Sequence, residues 1–190
     1  MIDSGLGGEL FCKILNGNIK DLECLPLLDR DFFPYGKKDL SFLKERLLFL
    51  VKEAKTNLVL IACNTLSSLI FYFGITFKKT VVDVITPTLF FLKKHNYHNP
   101  LILATTNTIK MDIYGKALNK RVAYYDATEL IYALEKGEKY DIMPVLKALD
   151  DSNDALLLAC THLVKIKNEL RLKTPLRVIS QDEILVMLFK

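Results

Sequence analysis

The sequence predicts an α/β protein made of two pseudo-symmetric α/β domains with mainly parallel sheets, and three observations carry that prediction. Short aliphatic runs bounded by polar turn residues alternate with helical periodicity along the whole chain, the pattern of parallel strands joined by crossover helices. One local pattern occurs twice: Leu58-Val59-Leu60-Ile61 runs into Ala62-Cys63-Asn64-Thr65, and 97 residues later Leu156-Leu157-Leu158 runs into Ala159-Cys160-Thr161-His162. Self-similarity of this kind is what duplication leaves behind. With 51% hydrophobic and 25% charged residues, 190 residues also hold enough apolar material for a real core, as one domain or two small ones.

Taken in order, Ile2-Asp3 reads as the end of a strand, followed by the glycine-rich turn Ser4-Gly5-Leu6-Gly7-Gly8 and a helix from about Glu9 to Leu15. Glycines let backbone approach closely, and a helix N-terminus offers unpaired N–H groups to an anion such as a carboxylate. Only two residues precede Asp3, so the strand starts before Met1 or this edge of the sheet is abbreviated. Leu25 to Asp29 is a short strand whose Pro26 suggests an edge position, and Phe32-Phe33-Pro34-Tyr35-Gly36 is a turn. A long amphipathic helix begins at Asp39 or Ser41, with Leu40, Leu43, Leu47, Leu50, Val51 and Ala54 on one stripe. The strand ending at Cys63 and a helix from Thr65 to Phe73 come next, then a strand over 81–85 closed by Thr86-Pro87, where proline can open a helix.

The alternation then repeats. Leu101 to Ala104 is a strand, Thr105-Thr106-Asn107-Thr108 its polar turn, and one helix runs through Leu118. A strand over 122–125, a helix from Thr128 to Lys136 ended by Gly137, and a helix from Met143 to Leu149 continue the pattern. The strand 155–159 delivers Cys160, a helix runs from about Leu163 to Leu172, 176–179 is the last strand, and a helix ends the chain. A weaker echo pairs Ser4-Gly5 with Thr105-Thr106.

The formal charge of +4 is spread over helical faces without a dense basic run, which speaks against nucleic acid as a partner. The first residues lack the basic stretch and apolar core of a secretory leader, and the longest apolar stretch, near Leu66 to Phe77, is too short to span a bilayer. A cytoplasmic protein is expected, with no membrane partner. Four cysteines without C-x-x-C spacing argue against disulfides and zinc, so Cys12 and Cys24 read as small buried hydrophobes and all thiols as free. His95 and His98 have no carboxylate nearby in sequence and read as an exposed helix end; no metal is expected.

Strand ends are where open α/β sheets bind ligands, so two thiols arrive at two binding edges, one in each half. Each precedes a predicted helix, whose positive end assists ionisation of a thiol. Two opposed acid/base groups of similar strength suit inversion at carbon, one removing a proton from one face and the other delivering a proton to the opposite face. Racemisation of this kind needs no cofactor. A Cys-His hydrolase is the competing chemistry, since His162 is near Cys160, but it leaves Cys63 without a role. Asp3 also reads as a cap for the helix after the glycine turn, and His162 as a surface histidine.

Asp3-Ser4-Gly5-Leu6-Gly7-Gly8, Pro34-Tyr35-Gly36, Ala62-Cys63-Asn64-Thr65 and Cys160-Thr161-His162 resemble, in order, the four signature segments of the bacterial glutamate racemase family. The resemblance runs from the first residues to about Ser180 and marks a diverged, shortened member of the aspartate/glutamate racemase superfamily. It implies two α/β domains with the active site between them, an isomerase interconverting L- and D-glutamate without a cofactor, and a role in peptidoglycan biogenesis. It further implies Cys63 and Cys160 as the acid/base catalysts, Asp3 assisting Cys63 and His162 assisting Cys160. Ser4, Pro34, Tyr35, Gly36, Asn64, Thr65 and Thr161 match positions holding the substrate's carboxylates and ammonium. Asp29 matches an aspartate before the Pro-Tyr-Gly turn, and Glu135 lies in a segment similar to one with another active-site glutamate. The pattern departs at Phe32 (commonly arginine), Thr86 (glutamate), Leu163-Val164 (Tyr-Pro) and Ser180 (aspartate).

The expected domains are 1–84 with 175–190, and 85–174. The expected partner is a small-molecule substrate, glutamate, with a homodimer left open. Two alternatives stand beside glutamate racemisation: another amino-acid racemase of the superfamily, and a non-catalytic glutamate-binding homologue.

Overall fold

Two four-stranded sheets, parallel throughout, form the frame of the computed structural model, which describes residues 1–189. In the first sheet β1 (Ile2–Asp3) lies between β2 (Leu27–Leu28) and β3 (Leu58–Ile61), with β4 (Thr80–Asp83) outermost. In the second, β5 (Pro100–Ala104) lies between β6 (Ala123–Asp126) and β7 (Ala155–Leu158), with β8 (Arg177–Ser180) outermost. The two sheets thus share one strand order. Equivalent bonds hold them: Ala62 N–H donates to the Ile2 carbonyl at 3.0 Å, and Ala159 N–H to the Leu103 carbonyl at 2.9 Å. In each half the residue just before the thiol is thereby fastened to the adjoining central strand.

Between the strands run α1 (Leu6–Asn18), α2 (Leu40–Glu53), α3 (Asn64–Phe73) and α4 (Ile85–Lys94) in the first half. The second half carries α5 (Thr106–Met111), α6 (Ile113–Leu118), α7 (Thr128–Lys136), α8 (Met143–Lys147), α9 (Lys167–Lys173) and α10 (Gln181–Phe189). The stripe read on α2 is its buried face, with Leu43, Leu47, Leu50 and Val51 in the core. Central strands alternate as the pleat requires: Ile102 and Ala104 join a large core that includes residues of both sheets, while Leu101 and Leu103 face a second core beneath α7 and α9. No helix among the described residues is long and apolar enough to cross a membrane.

Four expectations are corrected. Strand β8 was expected with the first sheet, but all four of its residues pair with β7, because the short α9 crossover returns the chain beside the strand it left. Only the following helix reaches back, Ile184 and Leu185 of α10 packing with Ile2, Phe11 and Ile85. The single helix expected through Leu118 is broken at Asp112, which takes a left-handed backbone conformation (φ 50°) that aspartate tolerates, and Tyr124 donates to its carboxylate at 2.9 Å. The helix expected from Leu163 begins only at Lys167, after a 3-10 turn over Thr161–Ile166. Cys12 and Cys24, expected as free thiols, are joined as a disulfide with Cα atoms 5.3 Å apart. The loop after α1 folds back so that Asn16 holds both the N–H (2.6 Å) and the carbonyl (3.2 Å) of Cys24, a proximity that spacing alone does not reveal.

Helix α2 opens with Asp39, whose carboxylate accepts the Phe42 N–H at 2.9 Å. Asp39→Ala is expected to lower unfolding free energy by about 1 kcal/mol, read from urea denaturation; an unchanged midpoint would show that the cap contributes nothing.

Candidate active site

The C-terminal edges of β1, β3, β5 and β7 meet at one small cavity of about 20 Å³ between the halves. Cys63 and Cys160 both line it and are free thiols. Around them from the first half stand Ser4, Pro34, Tyr35, Gly36, Asn64 and Thr65, and from the second Thr161 and His162. Asp3, Asp29 and Glu135 do not line the cavity; each contacts a residue that does.

At the glycine turn the two halves come close together. A Cβ on Gly7 would lie 2.7 Å from the His162 backbone nitrogen, and one on Gly5 would lie 2.7 Å from the Glu135 carboxylate. Only glycine permits this approach. The anions at this helix start belong to the protein: Glu135 accepts the Leu6 N–H at 2.9 Å, and Asp3 accepts Gly5 and Gly8 N–H at 3.1 and 3.2 Å. Asp3 therefore does cap the turn, as the simpler reading held, and its other oxygen also accepts the Thr161 hydroxyl at 3.1 Å across the interface. Burial pushes the Asp3 carboxyl up, against the pull of His162 and these N–H donors.

His162 is fully buried, so the surface reading does not hold. Its Nε2 lies 2.6 Å from Glu135 and its Nδ1 lies 3.6 Å from the Cys160 sulfur. Burial pulls the ring's proton affinity down, but Cys160 and Glu135 outweigh it and set the pKa at about 10, so the ring is an imidazolium at neutral pH. Burial likewise raises Glu135, and the bonds from His162 and Leu6 bring it below the usual carboxylate range. Cys63 has different surroundings. It caps α3, yet burial first, and then the charges of Asp3 and Cys160, push its thiol well above the usual cysteine range. The helix start expected to ionise both thiols is present only at Cys63, where burial dominates; Cys160 opens the 3-10 turn.

The Pro-Tyr-Gly turn is held from behind and from across. Tyr35 donates its hydroxyl to Asp29, which Arg46 of α2 grips through two nitrogens while its guanidinium stacks on Phe32. Asn107 of α5 donates to the carbonyls of Tyr35 and Lys38, both at 2.8 Å. Sequence reasoning missed Arg46, Asn107 and the lining residues Phe33, Thr105, Thr128 and Ile131. The echo of Ser4 in Thr105 was the available signal: both stand one residue past a central strand, and Thr105 meets the Thr65 hydroxyl at 2.9 Å. The others carried no local signal.

No protein-family model matches the chain. It is 30% identical over 198 residues to the glutamate racemase of Buchnera aphidicola, covering 90% of this chain and 74% of that protein. Among solved structures, a glutamate racemase isoform from Bacillus anthracis superposes with a TM-score of 0.82 at 20% identity over 98% of this chain and 77% of its own. The aspartate racemase of Picrophilus torridus gives 0.73 at 22% identity over 99% of this chain and 90% of its own. The doubled α/β frame with one cleft between its halves is that of the amino-acid racemases, and this protein is one, an isomerase. More narrowly, the chain belongs to the glutamate racemase family.

The interface leads to two expected outcomes. Gly7→Ala forces the 161–162 turn away from the first half, and racemisation is expected to fall about 10²-fold; an unchanged rate would show the close approach is dispensable. His162 holds its proton up to about pH 10 in the fold against 6.5 when free. The native state therefore binds the extra proton, and this stabilisation is complete below about 6.5 and is lost as pH rises through 10. Thermal midpoints should fall across that window, and Glu135→Gln should flatten the fall; equal slopes in both proteins would exclude the ion pair as its source.

Proposed function

We propose that the protein interconverts L- and D-glutamate in the cytoplasm without a cofactor, Cys63 and Cys160 acting alternately as base and acid at the α-carbon. The observation that carries this reading is that both free thiols, one from each half, line the same cavity. One thiolate takes the α-proton and becomes a thiol; the carbanion is then protonated on its other face by the second thiol, which becomes a thiolate. His162 as an imidazolium supplies positive charge to the Cys160 sulfur, 3.6 Å away. Cys63, pushed up by burial and by Asp3, keeps its proton and is the ready acid, while the raised Asp3 carboxyl is suited to accept a proton when Cys63 acts as base.

In this reading Ser4, Thr65 and Thr161 offer hydroxyls, Asn64 its amide, and the Pro34–Gly36 turn its backbone groups to the substrate's carboxylates and ammonium. Asp29 acts through Tyr35, and Glu135 through His162. A cavity of about 20 Å³ has room for about one water, not an amino acid. Binding thus requires the halves to part and reclose, which excludes water from the carbanion. The halves would divide between α4 and β5, later than the residue 84 expected from the sequence, with β8 in the second.

Cys63→Ser and Cys160→Ser are each expected to lower racemisation by at least about 10²-fold with thermal midpoints kept, read by polarimetry and by solvent deuterium entering the α-position. Near-normal turnover in either single mutant would overturn the two-thiol scheme. Saturable glutamate binding with no exchange in the wild type would identify a binding homologue, and faster exchange on aspartate would identify the related racemase.

A further inference from the structure

We infer that Gln181 is a positioning residue that sets which end of the Asn64 amide faces the cavity, and with it commits Asn64 to a substrate carboxylate; this rests on the racemase reading above. Asn64, Thr88, Tyr114 and Gln181 form a buried polar cluster behind the cleft, drawn from the starts of α3 and α10 and from α4 and α6. Its polarity can be traced from a backbone carbonyl. Thr88 donates its one hydroxyl hydrogen to the Val84 carbonyl at 2.7 Å, so toward Gln181, 3.0 Å away, it can only accept. That turns the Gln181 nitrogen toward Thr88 and its oxygen toward Asn64. An amide oxygen only accepts, so the Asn64 nitrogen must face it, and does at 2.6 Å. Tyr114 closes the circuit, accepting from the Gln181 nitrogen at 2.9 Å and donating to the Asn64 oxygen at 2.7 Å.

Asn64 thereby has its oxygen engaged by Tyr114 and one of its two amide hydrogens engaged by Gln181. The second hydrogen has no acceptor among the described residues, and Asn64 lines the cavity. A pinned N–H donor there matches a carboxylate oxygen and opposes an ammonium group. Leaving Gln181 out would free the amide to rotate, and the site would lose a fixed donor without losing any group that touches substrate.

The test compares wild type, Gln181→Met (similar size, no polar end), Asn64→Ala, the double mutant and Thr88→Val, with KM and kcat for D-glutamate from polarimetry and Kd from calorimetry. Gln181→Met is expected to raise KM and Kd about tenfold with a smaller change in kcat, and Thr88→Val about threefold. On the Asn64→Ala background Gln181→Met should add nothing, since it acts through that side chain. A KM within twofold of wild type, or effects that multiply in the double mutant, would overturn the assignment. Should Gln181→Met fail to fold, Thr88→Val decides alone, because it cuts the same circuit away from the cavity. A wild type that binds glutamate without exchanging deuterium would defeat the racemase reading while the Kd ratios still judge Gln181; a wild type that does not bind glutamate overturns both.

Discussion

The close approach of the glycine turn to the Thr161–His162 backbone is the constraint on which the rest of the site depends. Without side chains at Gly5 and Gly7, one half can bring its first helical turn against the other half's Glu135 and 161–162 turn. Glu135 then does two things with one carboxylate: it accepts the Leu6 N–H and it faces the His162 ring. The imidazolium beside Cys160 is therefore tied to the position of the opposite half. A second tie, Thr161 to Asp3, links the Cys160 turn to the carboxylate whose charge bears on Cys63. Each of these groups sits in the same half as its thiol and is held in place by a bond from the other half.

The duplication is geometric rather than chemical. Both halves share a strand order and the same hydrogen bond just before the thiol, yet one cysteine caps an α-helix beside a buried carboxylate and the other opens a 3-10 turn beside a buried histidine. A matched frame brings two sulfurs to one cavity, and the surroundings of the two sulfurs differ. In the two-thiol scheme proposed above, one group has to hold a proton while the other does not.

Burial at this site is costly and is offset by pairing. Asp3, Asp29, His162 and Gln181 are all buried, and each has several partners. Most of these bonds lie within one half, and bonds that cross between the halves include Leu6 N–H to Glu135, Thr161 to Asp3 and Asn107 to the Tyr35 carbonyl.

Much of this was legible in the sequence, and the division is physical. Alternating strands and helices and the doubled Cys63 and Cys160 pattern are local, set by the few residues around the end of a strand, while Ser4, Tyr35, Asn64, Thr65 and Thr161 were singled out by the resemblance to a family and do line the cavity. Arg46, Asn107 and Gln181, which act through other residues, stayed hidden. Arg46 reaches Asp29 from a helix 17 residues on, and Gln181 reaches Asn64 across 117. The sheet that β8 joins, the Cys12–Cys24 pair, the burial of His162 and the contrast between the two thiols were likewise decided only when the chain closed. Sequence by itself determined which groups stand at the strand ends, because secondary structure obeys short-range pattern; charge state, pairing and burial depend on neighbours distant in the chain, and only the tertiary structure supplies them.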